Sequence, residues 1–298
     1  KDWNAGIIRP VPVAPAGPYQ DSAAPGVWTL DQVAYWLQQG LWPIVGNILQ
    51  RGLFGGGVIS SNTNTIDYVD ITTTGNATDF GDLTFAAADT GSCASSTRGV
   101  WGGSSDNNGN VIQYVTIATT GNATDFGDLL QKLYWCAASS SSTRGIWGGG
   151  QDYNSFLWIN VLQYITIATT GNSTDFGDLT LARGQLSSCS STTRSVWGGG
   201  NNGSSVNIID YVTIASAGNA TDFGDLPNVQ RTLAACASST RGLFGGGNQT
   251  GGNTIDYITI ASTGNATDFG NLLNFPSYPG ACSSATRGLF AGGTTGAN

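Results

Sequence analysis

From residue 51 onward the hydrophobic positions fall in short runs, each cut off by Gly, Asn or Ser. Runs of this length suit strands rather than helices. Around Tyr257 the alternation is clean. Ile255, Tyr257 and Thr259 fall on one face of a strand and Asp256, Ile258 and Ile260 on the other. Before it come a small-residue run, Ala235-Cys236-Ala237, and a run ending in glycine, Gly242-Leu243-Phe244-Gly245. After it comes a short Asp-Phe-Gly segment, set off by Gly and Asn at the intervening turn. These predict four strands, here called a, b, c and d.

The four recur. The phrase Arg-Gly-apolar-aromatic-Gly-Gly, with small variations, opens at Arg51, Arg98, Arg144, Arg194, Arg241 and Arg287, and Ser195 replaces the first Gly of one copy. The steps between these arginines are 47, 46, 50, 47 and 46. A second phrase, Gly-Asn-(Ala/Ser)-Thr-Asp-Phe-Gly, opens at Gly75, Gly121, Gly171, Gly218 and Gly264. Between the two lies a strand centred on Tyr68, Tyr114, Tyr164, Tyr211 or Tyr257. Four strands in such a step make one propeller blade. The predicted fold is all-β: a β-propeller of six blades with an incomplete last blade, five being the alternative.

The Gly-Gly pairs closing strand b (Gly56-Gly57, Gly149-Gly150, Gly246-Gly247), the strand-c Tyr and the strand-d aromatic resemble the kelch repeat. Arg183 and Arg231, just before strand a, resemble the Arg of that repeat. Its strand-d Trp is Phe here: Phe80, Phe126, Phe176, Phe223 and Phe269. The resemblance spans roughly residues 50 to 293 and implies a kelch-like propeller, a fold that fixes no function. The near-identical units, with Tyr19-Gln20-Asp21-Ser22-Ala23-Ala24-Pro25-Gly26-Val27-Trp28-Thr29-Leu30 and Gly40-Leu41-Trp42-Pro43, also resemble structural proteins of tailed bacteriophages, cyanophages in particular. That resemblance implies a virion component such as a tail fibre or capsid decoration, extracellular on the particle.

Residues 1–50 read as an anchor and residues 51–298 as the propeller. Pro10, Pro12, Pro15, Pro18 and Pro25 make an extended arm. A short helix follows, capped by Thr29 with Gln32 and ended by Gly40 and Pro43. Trp28, Tyr35, Trp36 and Trp42 are the aromatic anchor candidates, toward other virion proteins and neighbouring copies in a homo-oligomer. The repeats contain six strands b but five copies of strands a, c and d. Trp42–Leu49 is expected to supply the first strand a, and Gly6–Val13, from the same chain or a neighbour, the missing outer strand of the last blade. The chain opens on Lys1 with no signal-peptide core behind it, as expected of a processed N-terminus or of a chain that starts inside a longer one.

Composition narrows the chemistry. All 19 acidic residues are Asp, and Glu, His and Met are absent from the 298 residues. The net charge of −8 offers nucleic acid no basic face, and no apolar run is long enough to span a membrane. Without His or Glu no nucleophile–base pair is assembled, so a non-enzymatic protein without cofactors is expected. Cys93, Cys136, Cys189, Cys236 and Cys282 read as one repeat position ringing the channel, small buried residues rather than metal ligands or disulfide partners. Asp79/Asp82, Asp125/Asp128, Asp175/Asp178 and Asp222/Asp225 read as turn residues in preference to a calcium site or a glycosidase pair. The sequon asparagines Asn76, Asn122, Asn172, Asn219 and Asn265 read as left-handed turn residues. The six repeat arginines are expected to bond carbonyls or carboxylates of neighbouring blades.

The a–b and c–d turns are nearly constant, apart from an insertion read at Ser139–Ser142, while the b–c and d–a loops differ between copies. Variation therefore falls on one face, where a rigid scaffold carries binding loops. The binding candidates there are Asp152, Tyr153, Phe156, Trp158, Tyr134, Trp135, Phe275 and Tyr278, facing a host-surface glycan or protein. A secreted lectin-like propeller is the alternative to the virion protein.

Overall fold

A computed structural model describes residues 50–248, 252–274 and 276–295. The arm, its helix, the aromatic anchors, the proposed first strand a and Phe275 lie outside the described residues, as do Gly6–Val13 and their proposed role in the last blade. Among the described residues the chain is all-β, a β-propeller without helices.

Among the described residues blade 1 has three strands: b (Arg51–Gly55), c (Thr63–Asp70) and d (Thr78–Ala87). Blades 2 to 5 each have four antiparallel strands in the order a-b-c-d. In blade 2 these are Gly91–Ala94, Arg98–Gly102, Val111–Thr116 and Thr124–Asp128. In blade 3 they are Ala137–Ser140, Arg144–Gly148, Val161–Thr166 and Thr174–Asp178. Blade 4 runs Ser187–Ser190, Arg194–Gly198, Val206–Thr213 and Thr221–Gln230, and blade 5 Ala234–Ala237, Arg241–Gly245, Thr254–Thr259 and Thr267–Asn271. Among the described residues a sixth unit has strand a (Gly280–Ser283) and strand b (Gly288–Ala291), followed by a two-residue strand, Thr294–Thr295, paired with Pro276–Ser277.

Strand a is innermost, and from blade 2 to the sixth unit successive strands a pack against one another. Serines staple these inner strands: Ser140 Oγ donates to Ala94 O at 2.6 Å, Ser190 Oγ to Ser140 O at 2.6 Å and Ser283 Oγ to Ala237 O at 2.7 Å. Small residues suit this crowded axis. Farther out, the strand-b aromatic of one blade lies over a strand-b glycine of the blade before. A Cβ on Gly102 would meet Trp147, and one on Gly148 Trp197. Phe54 of blade 1 approaches Gly280 of the sixth unit in a related way, so the ring closes.

Four of the repeat arginines lie over the Tyr of their own strand c and also reach a carbonyl of the next blade. Arg51, Arg98, Arg144 and Arg194 donate to Ile117 O, Ile167 O, Ile214 O and Ile260 O. Arg287 of the sixth unit reaches Ile71 O and Thr72 O of blade 1. The carbonyl option for these arginines is the one realised.

Three sequence readings need correction. The sequon asparagines do not have positive φ. Instead they bridge blades: Asn122, Asn172, Asn219 and Asn265 accept the N–H of Asp82, Asp128, Asp178 and Asp225. The a–b turn of blade 3 holds no insertion, since Ser141 N–H bonds Arg144 O just as Ser95 N–H bonds Arg98 O. The extra residues lie in its b–c loop. Last, Cys136 is out of register with the other four cysteines. Ser139 holds the place that Cys93, Cys189, Cys236 and Cys282 hold, five residues before the repeat Arg. The distinction has a packing cause. Cys93, Cys189, Cys236 and Cys282 each point Sγ at the glycine after the Arg of the following blade, Gly145, Gly242, Gly288 and Gly52. The blade after Ser139 has Ser195 at that place, fully buried. Large-plus-none is exchanged for small-plus-small.

Candidate functional site

The d–a loops end in an unusual backbone feature. Asp89, Trp135, Gln185, Thr232 and Tyr278 each stand two residues before a strand a, and all have φ between 56° and 60°. Left-handed φ is strained for such side chains. It is held by a chain of backbone hydrogen bonds running from blade to blade. Trp135 N–H donates to Asp89 O at 3.0 Å, Gln185 N–H to Trp135 O at 2.8 Å, Thr232 N–H to Gln185 O at 2.8 Å and Tyr278 N–H to Thr232 O at 2.9 Å. The five residues form a rim around the channel mouth on the variable face.

Their side chains converge. Gln185 Nε2 reaches past Thr232 to donate to Tyr278 Oη at 2.9 Å, and Asn201 Nδ2 donates to Gln185 Oε1 at 3.1 Å. Tyr134 packs on Trp135 with ring centroids 4.7 Å apart, and Trp135 stacks on Trp158 at 6.0 Å and 28°. Trp158 in turn covers Gly184, where a Cβ would collide with the indole. Burial raises the pKa of Asp89, opposed in part by the Ser105 hydroxyl and the Trp135 indole, whose N–H faces the carboxylate without a well-formed bond. The phenols of Tyr134 and Tyr278 are raised as well, by burial first and then by the Asp89 charge. Asp89 is therefore felt on both sides of the mouth.

The sequence candidates divide accordingly. Tyr134, Trp135, Trp158 and Tyr278 belong to the mouth. Tyr153 stands outside it, its ring 6.0 Å from Lys132 Nζ, and Phe156 is 64% exposed at a loop tip. Asp152 serves its own loop: Oδ1 accepts from the N–H groups of Asn154 and Ser155 and from Ser155 Oγ. These bonds, Ser155 N–H foremost, lower its pKa. Sequence reasoning missed Asp89, Gln185, Thr232 and Asn201. Their loops stood out by variability, but the left-handed turn that gathers Asp89, Gln185 and Thr232 at the rim has no glycine at its left-handed position to mark it.

Such a mouth has aromatic faces, an amide, a carboxylate and phenols within one ring. It can stack against the C–H face of a polar ring and hydrogen-bond its hydroxyls. Among the described residues no group of three metal-ligating side chains comes together. The opposite mouth is a different surface, lined by Ser141, Ser142, Ser191, Ser238, Ser239 and Ser284 from the constant turns. No protein-family model matches the chain, and no curated protein matches it either.

Proposed function

We propose that the chain is a virion structural protein that displays a non-enzymatic β-propeller for attachment or particle decoration. The observation that carries this reading is the contrast between its two faces. One face repeats the same Ser-Ser-Thr-Arg and Gly-Asn turns blade after blade. The other gathers dissimilar loops around an aromatic mouth. Repetition with one variable face suits a component used in many copies that meets a partner at one end. The resemblance of the repeat phrases to tailed-phage structural proteins supports the same reading. In it, residues 1–50 attach the propeller to other virion proteins, and the mouth meets a host-surface glycan or protein. The test is to raise antibody against the propeller and image purified particles by immunogold electron microscopy. Label at fixed symmetry positions supports the proposal; particles free of label overturn it.

The aromatic-amide-carboxylate set at the mouth favours one further reading, a secreted lectin-like propeller. A glycan array separates the two when read with the particle images. Saccharide binding lost in Trp135→Ala, with no particle carrying the chain, establishes the lectin.

A further inference from the structure

The mouth of the variable face holds an acid that no described cation neutralises. Among the described residues Arg183–Asp210 is the one ion pair. Lys132 and Arg231, on the d–a loops, are engaged elsewhere: Lys132 Nζ donates to Asn107 Oδ1 at 2.6 Å and Arg231 Nε to Asn248 Oδ1 at 3.2 Å. Asp89 has only the uncharged Ser105 hydroxyl and Trp135 indole beside its carboxylate. It is half-buried, which makes a charge without a counter-charge costly. Its backbone is held left-handed as well, at a φ of 60°. Strain and desolvation gathered at one residue are characteristic of ligand clamps. Tyr278 offers a matching surface. It is 45% exposed, its Oη is fixed by the Gln185 amide, and no other aromatic ring packs on it among the described residues. The Asp89 charge is felt at the phenols of both Tyr278 and Tyr134, so the carboxylate and the two rings share one site. Between Gln185 and Tyr278 in the rim, Thr232 is 3% exposed, and its Oγ1 has no hydrogen-bond partner. A buried hydroxyl of that kind is destabilising unless a ligand or water completes it.

We infer that the mouth binds an amino sugar, with the Asp89 carboxylate as counter-charge to its primary ammonium group and the Tyr278 ring as the surface on which the sugar lies. The inference rests on the reading of this face as the binding face and adds the chemistry of the ligand. An ammonium group supplies the charge-assisted hydrogen bond that Asp89 lacks, and aromatic faces attract the same charge. A neutral sugar leaves the carboxylate uncompensated. An acidic one is repelled by it and by the net charge of −8. The remaining groups suit a sugar ring better than a lysine side chain. The Thr232 hydroxyl and the Tyr278 O–H, still free to donate, can meet ring hydroxyls, which an aliphatic chain does not carry. The stacked Trp135 and Trp158 rings give the site a rigid wall, so little ordering is required on binding.

The test is isothermal titration calorimetry of the full chain, just below neutral pH, with a glucosamine trisaccharide, its N-acetylated counterpart and N-acetyl-lysine amide. The expected result is saturable one-to-one binding of the amine trisaccharide, with the other two probes weaker by roughly tenfold or more. Asp89→Asn keeps the shape of the side chain and its acceptor for Ser105 while removing the charge. It should weaken binding of the amine by roughly tenfold or more and leave the acetylated sugar unchanged. Tyr278→Leu should weaken both sugars. Asp89 and Tyr278 are not core residues, so both variants should keep the wild-type thermal transition by circular dichroism. Equal binding of the two trisaccharides, or full affinity in the folded Asp89→Asn protein, overturns the ammonium assignment. A lysine derivative that binds as tightly as the amine sugar overturns the sugar. Absence of binding by every probe overturns the inference altogether, while immunogold labelling of particles decides the virion reading on its own.

Discussion

Asp256 gives the sharpest quantitative prediction. Its place on strand c is held by Gln113 in blade 2, Gln163 in blade 3 and Asp210 in blade 4, all buried. Each of these accepts a backbone N–H from the preceding blade: Thr84 for Gln113 at 2.7 Å, Leu130 for Gln163 at 2.7 Å and Thr180 for Asp210 at 3.3 Å. The residue that should serve Asp256 is Pro227, which has no N–H. Burial without that donor, together with the charge of Asp268, raises the Asp256 pKa from 3.8 to about 6, against a small lowering by Thr254. Between these values the folded chain keeps a proton that the unfolded chain has released. This carboxyl therefore costs stability as pH rises from about 4 to about 6, and nothing further above that. The raised pKa caps the cost at about 3 kcal/mol, and solvent screening of an incompletely enclosed carboxyl brings it to about 1–2 kcal/mol. Asp256→Asn should match wild type near pH 4 and exceed it by that amount at pH 7. Pro227→Thr, which copies Thr84 and Thr180, should shrink the gap by restoring the donor. Guanidinium unfolding followed by tryptophan fluorescence at several pH values measures both. A gap that is the same at pH 4 and pH 7, or that favours wild type at pH 7, refutes the reasoning.

Other outcomes follow from the same geometry. Arg183 and Asp210 form a wholly buried ion pair at 2.7 Å, so Arg183→Met should cost about 3–5 kcal/mol in guanidinium unfolding by stranding the carboxylate. Adding Asp210→Gln, the residue of blades 2 and 3, should recover most of that loss. A Cβ on Gly242 would stand 2.5 Å from Cys189 Sγ, so Gly242→Ala should lower stability by about 1–3 kcal/mol. Cys189→Ala should relieve that clash in a double-mutant cycle. Burial pushes the thiols of Cys93, Cys136 and Cys236 up to about 12; a disulfide reagent at pH 8 should leave them unmodified in the native state and titrate them after denaturation.

The blades were legible because each strand repeats its own pattern six or five times over, which averages away local ambiguity. Tyr257 and Ile258 fall on the faces that their alternation predicts. The Arg-to-carbonyl links were legible in kind, since an arginine beside every strand b needs an acceptor and the turns offer carbonyls. The asparagines misled because two causes favour Asn at a turn. Left-handed backbone is one; an amide oxygen that reaches a neighbouring N–H is the other, and it prevailed here. Cys136 misled because spacing was judged against strand a rather than counted from the Arg. At the mouth, Trp135 and Trp158 announced themselves as aromatics in variable loops. Asp89 and Gln185 did not, because their roles depend on loops from separate blades meeting at the axis.

The link from Arg287 to Ile71 spans 216 residues, whereas the equivalent links from Arg51, Arg98, Arg144 and Arg194 span 66 to 70. Contacts within and between consecutive blades form over short loops, but this one must wait until its distant ends meet. The extra loop entropy is only about 1 kcal/mol, since closure cost grows with the logarithm of length. Its kinetic weight is larger, because long-range contacts slow the search. Folding should therefore proceed blade by blade and finish at this seam, and the last slow phase of refolding should report its closure. A circular permutant that joins the ends across the seam and opens the chain between blades 2 and 3 would make this contact local and hand the slow step to a different pair of blades.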